Sequence, residues 1–179
     1  KLMARPLRAD IPIYLAVFRP RSVELAAEIA DGWLPIFFSP ERARETFPAP
    51  FARNGDFDIA PAVPALVSDD VESARDALRP YYGLYIGGMG ARGTNFYNDL
   101  VASYGFEAAA KQIQDLFLDG KQRDAAAAVP DALIDEMALV GPPDRIRDRM
   151  AAWNESGATT MLVSARDETT LRAVAEALG

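Results

Sequence analysis

The chain has 179 residues, of which 50% are hydrophobic, and this is enough for one domain with a packed core. Its net charge of −7 gives no sign of the basic surface that nucleic-acid binding requires, so we expect no nucleic-acid partner, although local arginines could still bind an anionic ligand. Histidine and cysteine are both absent, which excludes a Ser-His-Asp triad, thiol catalysis and zinc–thiolate sites within the chain.

No apolar run reaches the roughly 20 residues that span a membrane, and no signal peptide is recognisable. We therefore expect a cytoplasmic protein with no membrane partner. The chain begins with Lys1 rather than methionine, so we also expect its natural N-terminus to be missing.

The segment from Ile11 to Phe38 predicts a strand–helix–strand unit of a parallel sheet. Its first part, IPIYLAVF, is apolar on both faces, as in a strand that is covered on both sides. Pro20 opens the helix and Gly32 ends it, and we expect Gly32 to adopt the left-handed conformation there. Ligands of such units bind where the strands end, so the turn over 18–21 is the first candidate site.

The later elements continue this alternation with a long interruption. The third strand, over 59–67, carries Pro61 and Pro64, which cannot donate to a ladder, so we expect it to be irregular or near an edge. We predict the other elements as follows: a helix over 40–46, a loop over 47–55, a helix capped at 68–70, only helices over 81–140, a helix opened at 141–143, a fourth strand over 159–165 and a final helix over 167–178.

Four strand–helix units are too few to close a (β/α)₈ barrel, which needs eight strands and typically about 250 residues. An open four-stranded parallel sheet would have bare edges and one uncovered face. The sequence therefore predicts an α/β domain over 1–179. It is either half of a barrel, completed by a missing segment or another chain, or a small doubly wound domain.

Three stretches of the chain resemble the bacterial luciferase-like family, and in particular its coenzyme F420 (deazaflavin)-dependent oxidoreductase branch. They are PIYLAVFRPRSVELAAEIADGWLP, then Asn95–Asn98 with Tyr104–Phe106, and finally Val129–Asp131 leading into Leu139–Pro142 and Ser156–Ala158. The resemblance implies a TIM (β/α)₈ barrel. This chain would be its C-terminal half, with strands five to eight and a helical insertion over 80–140.

The resemblance also implies a function, namely hydride transfer between coenzyme F420 and a small organic substrate by a homodimer. The missing N-terminal half would be a partner of this chain, and it would carry further cofactor contacts and the strained bulge that supports the deazaflavin ring. Two alternatives stay open, an FMN-dependent monooxygenase of the same fold and a non-catalytic half-barrel for assembly or binding. No catalytic residue and no metal site is assigned, and we expect this half alone to be inactive.

The predicted cofactor-binding residues are Val17, Phe18, Arg19 and Arg21, because the family's first turn meets the cofactor. Arg19 stands where the family usually has glycine, so it prevents the closest backbone approach but offers a bidentate phosphate donor. Arg92 is predicted to reach a cofactor phosphate or glutamate tail. The alternative is that these arginines are solvated surface groups.

The predicted substrate-binding residues follow the second strand and are Ile36, Phe37, Phe38 and Ser39, with ordinary core packing as the alternative. The segment Gly88–Gly93 matches G-x-G-x-x-G, but no strand precedes it, so we interpret it as a flexible hinge rather than a dinucleotide site. Asp69 and Asp70 are interpreted as a helix cap.

Overall fold

A computed structural model of the chain describes residues 7–8, 10–53 and 55–178. In chain order its elements are β1 (Tyr14–Leu15), α1 (Pro20–Ile29), β2 (Gly32–Trp33), α2 (Ala43–Thr46), α3 (Pro48–Ala52), β3 (Asp58–Ile59), β4 (Ala62–Val67), α4 (Val71–Gly88), α5 (Phe96–Val101), a π-helical turn (Ala102–Phe106), α6 (Glu107–Leu118), α7 (Gln122–Ala127), α8 (Asp131–Met137), β5 (Leu139–Gly141), α9 (Pro143–Glu155), β6 (Leu162–Ser164) and α10 (Glu168–Leu178).

The predicted strand–helix–strand unit is present. Strands β1 and β2 pair in parallel, with Tyr14 opposite Gly32, and α1 connects them. The expectation that Gly32 is a left-handed helix stop was wrong, because α1 ends before it and Gly32 lies within β2. A Cβ at Gly32 would lie 2.4 Å from Cε1 of Tyr14 and 2.9 Å from the carbonyl oxygen of Asp58, so glycine is required here by close packing.

The third strand is interrupted at Pro61, in agreement with its expected irregularity. Its first part, β3, pairs with β2, whereas β4 pairs with β6 through Ala62–Pro64 and with β5 through Ala65–Val67. All these pairings are parallel. Across the interruption, β1, β2, β3–β4 and β6 therefore lie side by side, and β5 is a further neighbour of β4.

Two elements contradict the sequence-based boundaries. The expected loop over 47–55 contains the short helix α3, and the region predicted as helix up to Val140 contains β5. Strand β5 has only three residues, too few to show a period, and all three are buried. Strand β5 pairs with β4, which lies more than 70 residues earlier in the chain, so this pairing cannot be predicted from the local sequence.

The two faces of the sheet have different environments. On one face Trp33, Ile59 and Val63 are buried in the hydrophobic core. The opposite face, which carries Tyr14 and Asp58, is more open, and Leu162 on β6 is 44% exposed. Within the described residues β1 and β6 have no further strand beside them, so the sheet is open at both edges.

The helical segment α4–α8 packs against the C-terminal ends of the strands and is tied down by ion pairs. Arg75 on α4 binds Asp135 on α8 at 2.6 Å, and Arg79 on α4 binds Asp131. Burial alone would raise the pKa of Asp135, but hydrogen bonds from Arg75 and Arg145 outweigh it and lower the pKa. The segment therefore has a fixed position over the strand ends.

Candidate functional site at the strand ends

Four aromatic side chains form a continuous surface at the C-terminal ends of the strands, which we call the aromatic wall: Phe18, Tyr97, Tyr85 and Tyr81. Phe18 follows β1, and the tyrosines come from α4 and α5. Successive ring centroids are 4.4, 4.9 and 4.8 Å apart. All four side chains are partly exposed, so the wall can contact a bound molecule.

Phe37 supports the wall from behind. It is buried, and its ring centroid lies 5.8, 5.7 and 5.3 Å from those of Tyr81, Tyr85 and Tyr97. Its backbone φ is 56°, the left-handed conformation that costs a non-glycine residue energy. The hydroxyl of Tyr104 donates to the carbonyl of Phe37 at 3.1 Å and holds this turn in place.

Three tyrosines of this region, Tyr81, Tyr82 and Tyr97, have hydroxyls with a raised pKa. Burial raises the pKa of Tyr81 to about 12, and burial also raises the pKa of Tyr97 and of Tyr82. Protonated hydroxyls are hydrogen-bond donors. The buried hydroxyl of Tyr82 has no hydrogen-bond partner among the described residues.

A cavity of about 330 Å³ lies at the turn after β1. Phe18, Arg19 and Pro20 form one side of it, and Phe96, Asp99 and Ser103 contribute from α5 and the π-helical turn. The guanidinium carbon of Arg19 lies 4.1 Å from the ring centroid of Phe96, a cation–π contact that orients the positive charge. The turn therefore combines an apolar surface with one fixed cation.

The structure brings some of the predicted cofactor-binding residues together and not others. Phe18 and Arg19 line the cavity, and Val17 lies just before them with its carbonyl accepting from the indole of Trp33 at 2.6 Å. Arg21 is exposed on α1. Arg92 is also exposed and binds Asp115 at 2.9 Å, so its charge is already neutralised.

The predicted substrate-binding residues also lie in different environments. Ile36 is partly buried at the end of β2, and Phe37 lies behind the aromatic wall. Phe38 packs in the core between Trp33 and Trp153, with centroids 6.0 and 5.8 Å away. Ser39 is fully buried and donates to Glu136.

Other candidate residues have structural contacts. Asp70 caps α4 by accepting from the backbone N–H of Ser73 at 3.1 Å, as interpreted from the sequence. Asn95 caps α5 and donates to the carbonyls of Tyr85 and Ile86. The glycine-rich segment over 88–93 follows helix α4 and not a strand, which agrees with rejecting a dinucleotide fingerprint.

A second cavity of about 220 Å³ lies where β4 and β6 end. It is lined by Pro64 and Leu66 of β4, by Tyr81 of the aromatic wall and by Ser164 and Arg166. The sequence analysis did not propose Ser164 or Arg166. One signal could have identified them. They lie two residues apart at the end of the fourth predicted strand, and ligands of parallel sheets bind at the strand ends.

A third concave surface is a groove of about 690 Å³ between α8, α9 and residues 41–42. Its charged side chains already neutralise one another, because Arg149 binds Glu41, Arg42 binds Glu136 and Arg145 binds Asp135. None of the predicted site residues lines it.

Two kinds of feature are absent from the described residues, a metal-binding cluster and a membrane-spanning helix. No group of three or more acidic side chains is arranged to hold a metal ion over the ranges 7–8, 10–53 and 55–178. In the same part of the chain, no helix combines the length and the apolar character that a membrane span needs.

The parallel strands, the open edges and the aromatic strand ends define half of a TIM-type (β/α)₈ barrel. The sequence profile of the luciferase-like monooxygenase family matches residues 1–160. The chain therefore belongs to the luciferase-like family, and the resemblance seen in the sequence is confirmed.

Relatives in this family are similar over nearly the whole chain. A Mycobacterium tuberculosis protein named as a coenzyme F420-dependent oxidoreductase is 41% identical over 174 residues, which cover 92% of this chain and 50% of that protein. The 5,10-methylenetetrahydromethanopterin reductase of Archaeoglobus fulgidus is 27% identical over 160 residues, covering 86% of this chain and 48% of the relative. The chain thus spans about half the length of these relatives.

Solved structures confirm the fold. The coenzyme F420-dependent tetrahydromethanopterin reductase of Methanopyrus kandleri superposes with a TM-score of 0.66 at 20% identity, over 93% of this chain and 48% of that one. An F420-dependent secondary alcohol dehydrogenase, solved with an F420–acetone adduct, gives a TM-score of 0.64 at 16% identity over 97% of this chain and 48% of the other. At these identities the likeness shows the barrel architecture alone.

Proposed function

We propose that this chain is the C-terminal half of an oxidoreductase that exchanges hydride between coenzyme F420 and a small organic substrate. The observation that carries the proposal is the aromatic wall at the C-terminal ends of the strands, where enzymes with this barrel bind their ligands. The coenzyme specificity is supported by the 41% identical M. tuberculosis relative, which is named for F420.

The residues present fit a deazaflavin. A flat tricyclic ring needs apolar or aromatic surface, and the partly exposed rings of Phe18, Tyr97 and Tyr85 supply it. The coenzyme also carries anionic groups, and Arg19 holds a positive charge at one end of this surface. Val17 would contribute its backbone beside the same turn. Arg21 and Arg92 stay candidates for the more distant anionic groups.

In this proposal the coenzyme supplies or accepts the hydride, and the protein's part is binding and orientation. Phe18 and the wall tyrosines hold the ring, and Phe37 fixes the wall from behind. The apolar side chains exclude water from the reacting centre. Ile36 and Phe37 would shape the substrate side, whereas Phe38 and Ser39 would act only through packing.

The barrel's other half is the partner that the open sheet requires. Ile11 and Ile13 beside β1 are 65% and 62% exposed, and Leu162 on β6 is 44% exposed. Such apolar surface at two bare edges is covered when four further strands close the barrel. A homodimer and a cytoplasmic location remain predictions from the sequence, which analytical ultracentrifugation and cell fractionation would measure.

The proposal is tested by titrating the intact gene product with coenzyme F420 and, separately, with FMN, while following absorbance and coenzyme fluorescence. Saturable binding of F420 at micromolar concentration, with weaker binding of FMN, supports it. A preference for FMN accompanied by oxygen consumption would select a monooxygenase of the same fold. Binding of neither molecule would contradict both and favour an assembly domain.

A further inference from the structure

We propose that the cavity at the ends of β4 and β6 is the substrate site and that it selects a small organic acid, whose carboxylate binds Arg166. The inference deepens the proposed function and rests on it for the position of the coenzyme beside the aromatic wall.

The cavity has apolar sides and a small set of polar groups. Ala62, Pro64, Leu66 and Leu78 supply hydrocarbon surface, while Tyr81, Ser164 and Arg166 supply the polar groups. Binding sites for small molecules have this composition, in which the apolar lining gives affinity and a few polar groups fix orientation. The apolar body of the substrate would lie along β4.

The three polar groups have no partners in the part of the chain that the structure describes. The hydroxyls of Tyr81 and Ser164 form no hydrogen bond there, and Arg166 forms neither a hydrogen bond nor an ion pair. By contrast, Asp167, the acid next to Arg166, is occupied because it accepts from the backbone N–H and the hydroxyl of Thr170. The guanidinium is therefore available to a ligand.

A carboxylate matches this donor set better than a phosphate does. One guanidinium can bind the two oxygens of a carboxylate in a planar, bidentate pair, and the hydroxyls of Ser164 and Tyr81 can donate to the remaining lone pairs. A phosphate dianion would bring a second negative charge, and the cavity lining contains a single cation. One arginine compensates the single negative charge of a carboxylate. The second charge of a phosphate dianion would be left uncompensated in a chain whose own net charge is −7.

The position of the cavity relates it to the chemistry. Tyr81 belongs both to the aromatic wall and to the cavity lining, so a molecule in the cavity lies beside a ring stacked on the wall. The side chain of Tyr81 thus separates the coenzyme surface from the acid-binding surface. Substrate and coenzyme would then meet at the strand ends.

The test compares two probes of equal length, the anion hexanoate and its uncharged amide, hexanamide. Calorimetric titration of the intact gene product, with and without coenzyme F420, gives their dissociation constants for the wild type and for Arg166→Gln. Arg172→Gln is the matched control, because it removes the same charge from an exposed residue of α10 that is paired with Glu168. Circular dichroism verifies that each variant is folded.

The proposal predicts that hexanoate binds the wild type and Arg172→Gln alike, and binds Arg166→Gln at least about tenfold more weakly. Hexanamide should bind all three equally. Equal hexanoate affinity in Arg166→Gln, or no hexanoate binding by the wild type at millimolar concentration, would overturn the proposal. Stronger, Arg166-dependent binding of butyl phosphate than of hexanoate would overturn the choice of a carboxylate.

The coenzyme titration separates this inference from the function on which it rests. If hexanoate binds through Arg166 but coenzyme F420 does not bind, the proposed function fails while the acid site stands. If the coenzyme binds but hexanoate affinity is insensitive to Arg166→Gln, the acid site fails and the proposed function stands. As a second variant, Ser164→Ala should weaken hexanoate binding less than Arg166→Gln does, since it removes a neutral donor.

Discussion

The ring of Phe18 stacks on the ring of Tyr97, with their centroids 4.4 Å apart and 30° between their planes. Phe18 follows the first strand, whereas Tyr97 lies in α5, far along the chain. The contact joins the end of β1 to the helical segment that covers the strand ends. It is the point at which the aromatic wall begins.

Replacing Tyr97 by alanine should weaken coenzyme F420 binding about five- to tenfold, because one stacking surface of the wall is lost. Tyr97→Phe keeps the ring and removes only the hydroxyl, so its affinity should stay within about twofold of the wild type. Fluorescence titration measures both values. Equal losses in the two variants would show that the hydroxyl, not the ring, contacts the ligand.

Arg19 and Arg92 should differ in their effect on coenzyme affinity. Arg19 is held over Phe96 and lines the cavity at the first turn, whereas Arg92 is neutralised by Asp115. We expect Arg19→Gln to weaken binding about tenfold and to reduce its dependence on salt, since a charged contact to an anionic group is lost.

Arg92→Gln is the charge-matched control for that experiment, and its effect should be smaller than about twofold. The same fluorescence titration at low and high ionic strength compares the two variants. A larger loss in Arg92→Gln would place the anionic part of the coenzyme at the helical segment instead of the first turn.

Gly32→Ala should lower the free energy of unfolding by about 1–3 kcal/mol, because its Cβ would overlap the ring of Tyr14 and approach the carbonyl of Asp58. Urea denaturation measures the change. In the double variant Tyr14→Ala/Gly32→Ala the ring is absent, so the loss should be smaller than the sum of the single losses. Strict additivity would contradict the close contact.

The hydrogen bond between Tyr14 and Asp58 should make the free energy of unfolding depend on pH in both the acidic and the alkaline range. Burial alone would raise the pKa of Asp58, but hydrogen bonds from Thr159, Tyr14 and Thr160 outweigh it, and the pKa is lowered. A lowered carboxyl pKa stabilises the fold above the unfolded value of about 4, and this stabilisation is lost as the pH falls through the folded pKa. The hydrogen bond to Asp58 raises the pKa of Tyr14, so its contribution is lost as the pH rises above about 10.

Urea denaturation of the wild type and of Asp58→Asn tests this relationship. The difference in their free energies of unfolding should be constant from about pH 5 to 9 and should shrink below about pH 4. The exposed Asp56→Asn variant serves as the control for a removed surface charge. A difference that grows as the pH falls would have the wrong sign for this account.

The sequence predicted the parts of the fold that depend on local patterns. The first strand–helix–strand unit, the irregular third strand and the half-barrel count of strands all follow from apolar runs and from proline and glycine positions. Strand β5 was missed because three buried residues carry no period. The role of Gly32 was misread because it depends on Tyr14 and Asp58, which approach it only in the folded sheet.

The candidate site was predictable only in part, for the same reason. Phe18 and Arg19 were identifiable as a turn after an apolar strand, and the structure places them at a cavity. The wall around them could not be predicted, because Tyr81, Tyr85 and Tyr97 reach it through the packing of α4 and α5. The spacing of Tyr81 and Tyr85, four residues apart on one helix, was the available signal of a shared aromatic face.

The central claim, that the aromatic wall binds the coenzyme, is tested most directly by a crystal structure of the intact gene product with coenzyme F420. We expect the deazaflavin ring to lie against Phe18, Tyr97 and Tyr85, with an anionic group near Arg19. A coenzyme bound elsewhere, for example in the groove between α8 and α9, with the wall covered by the other half of the barrel, would contradict it.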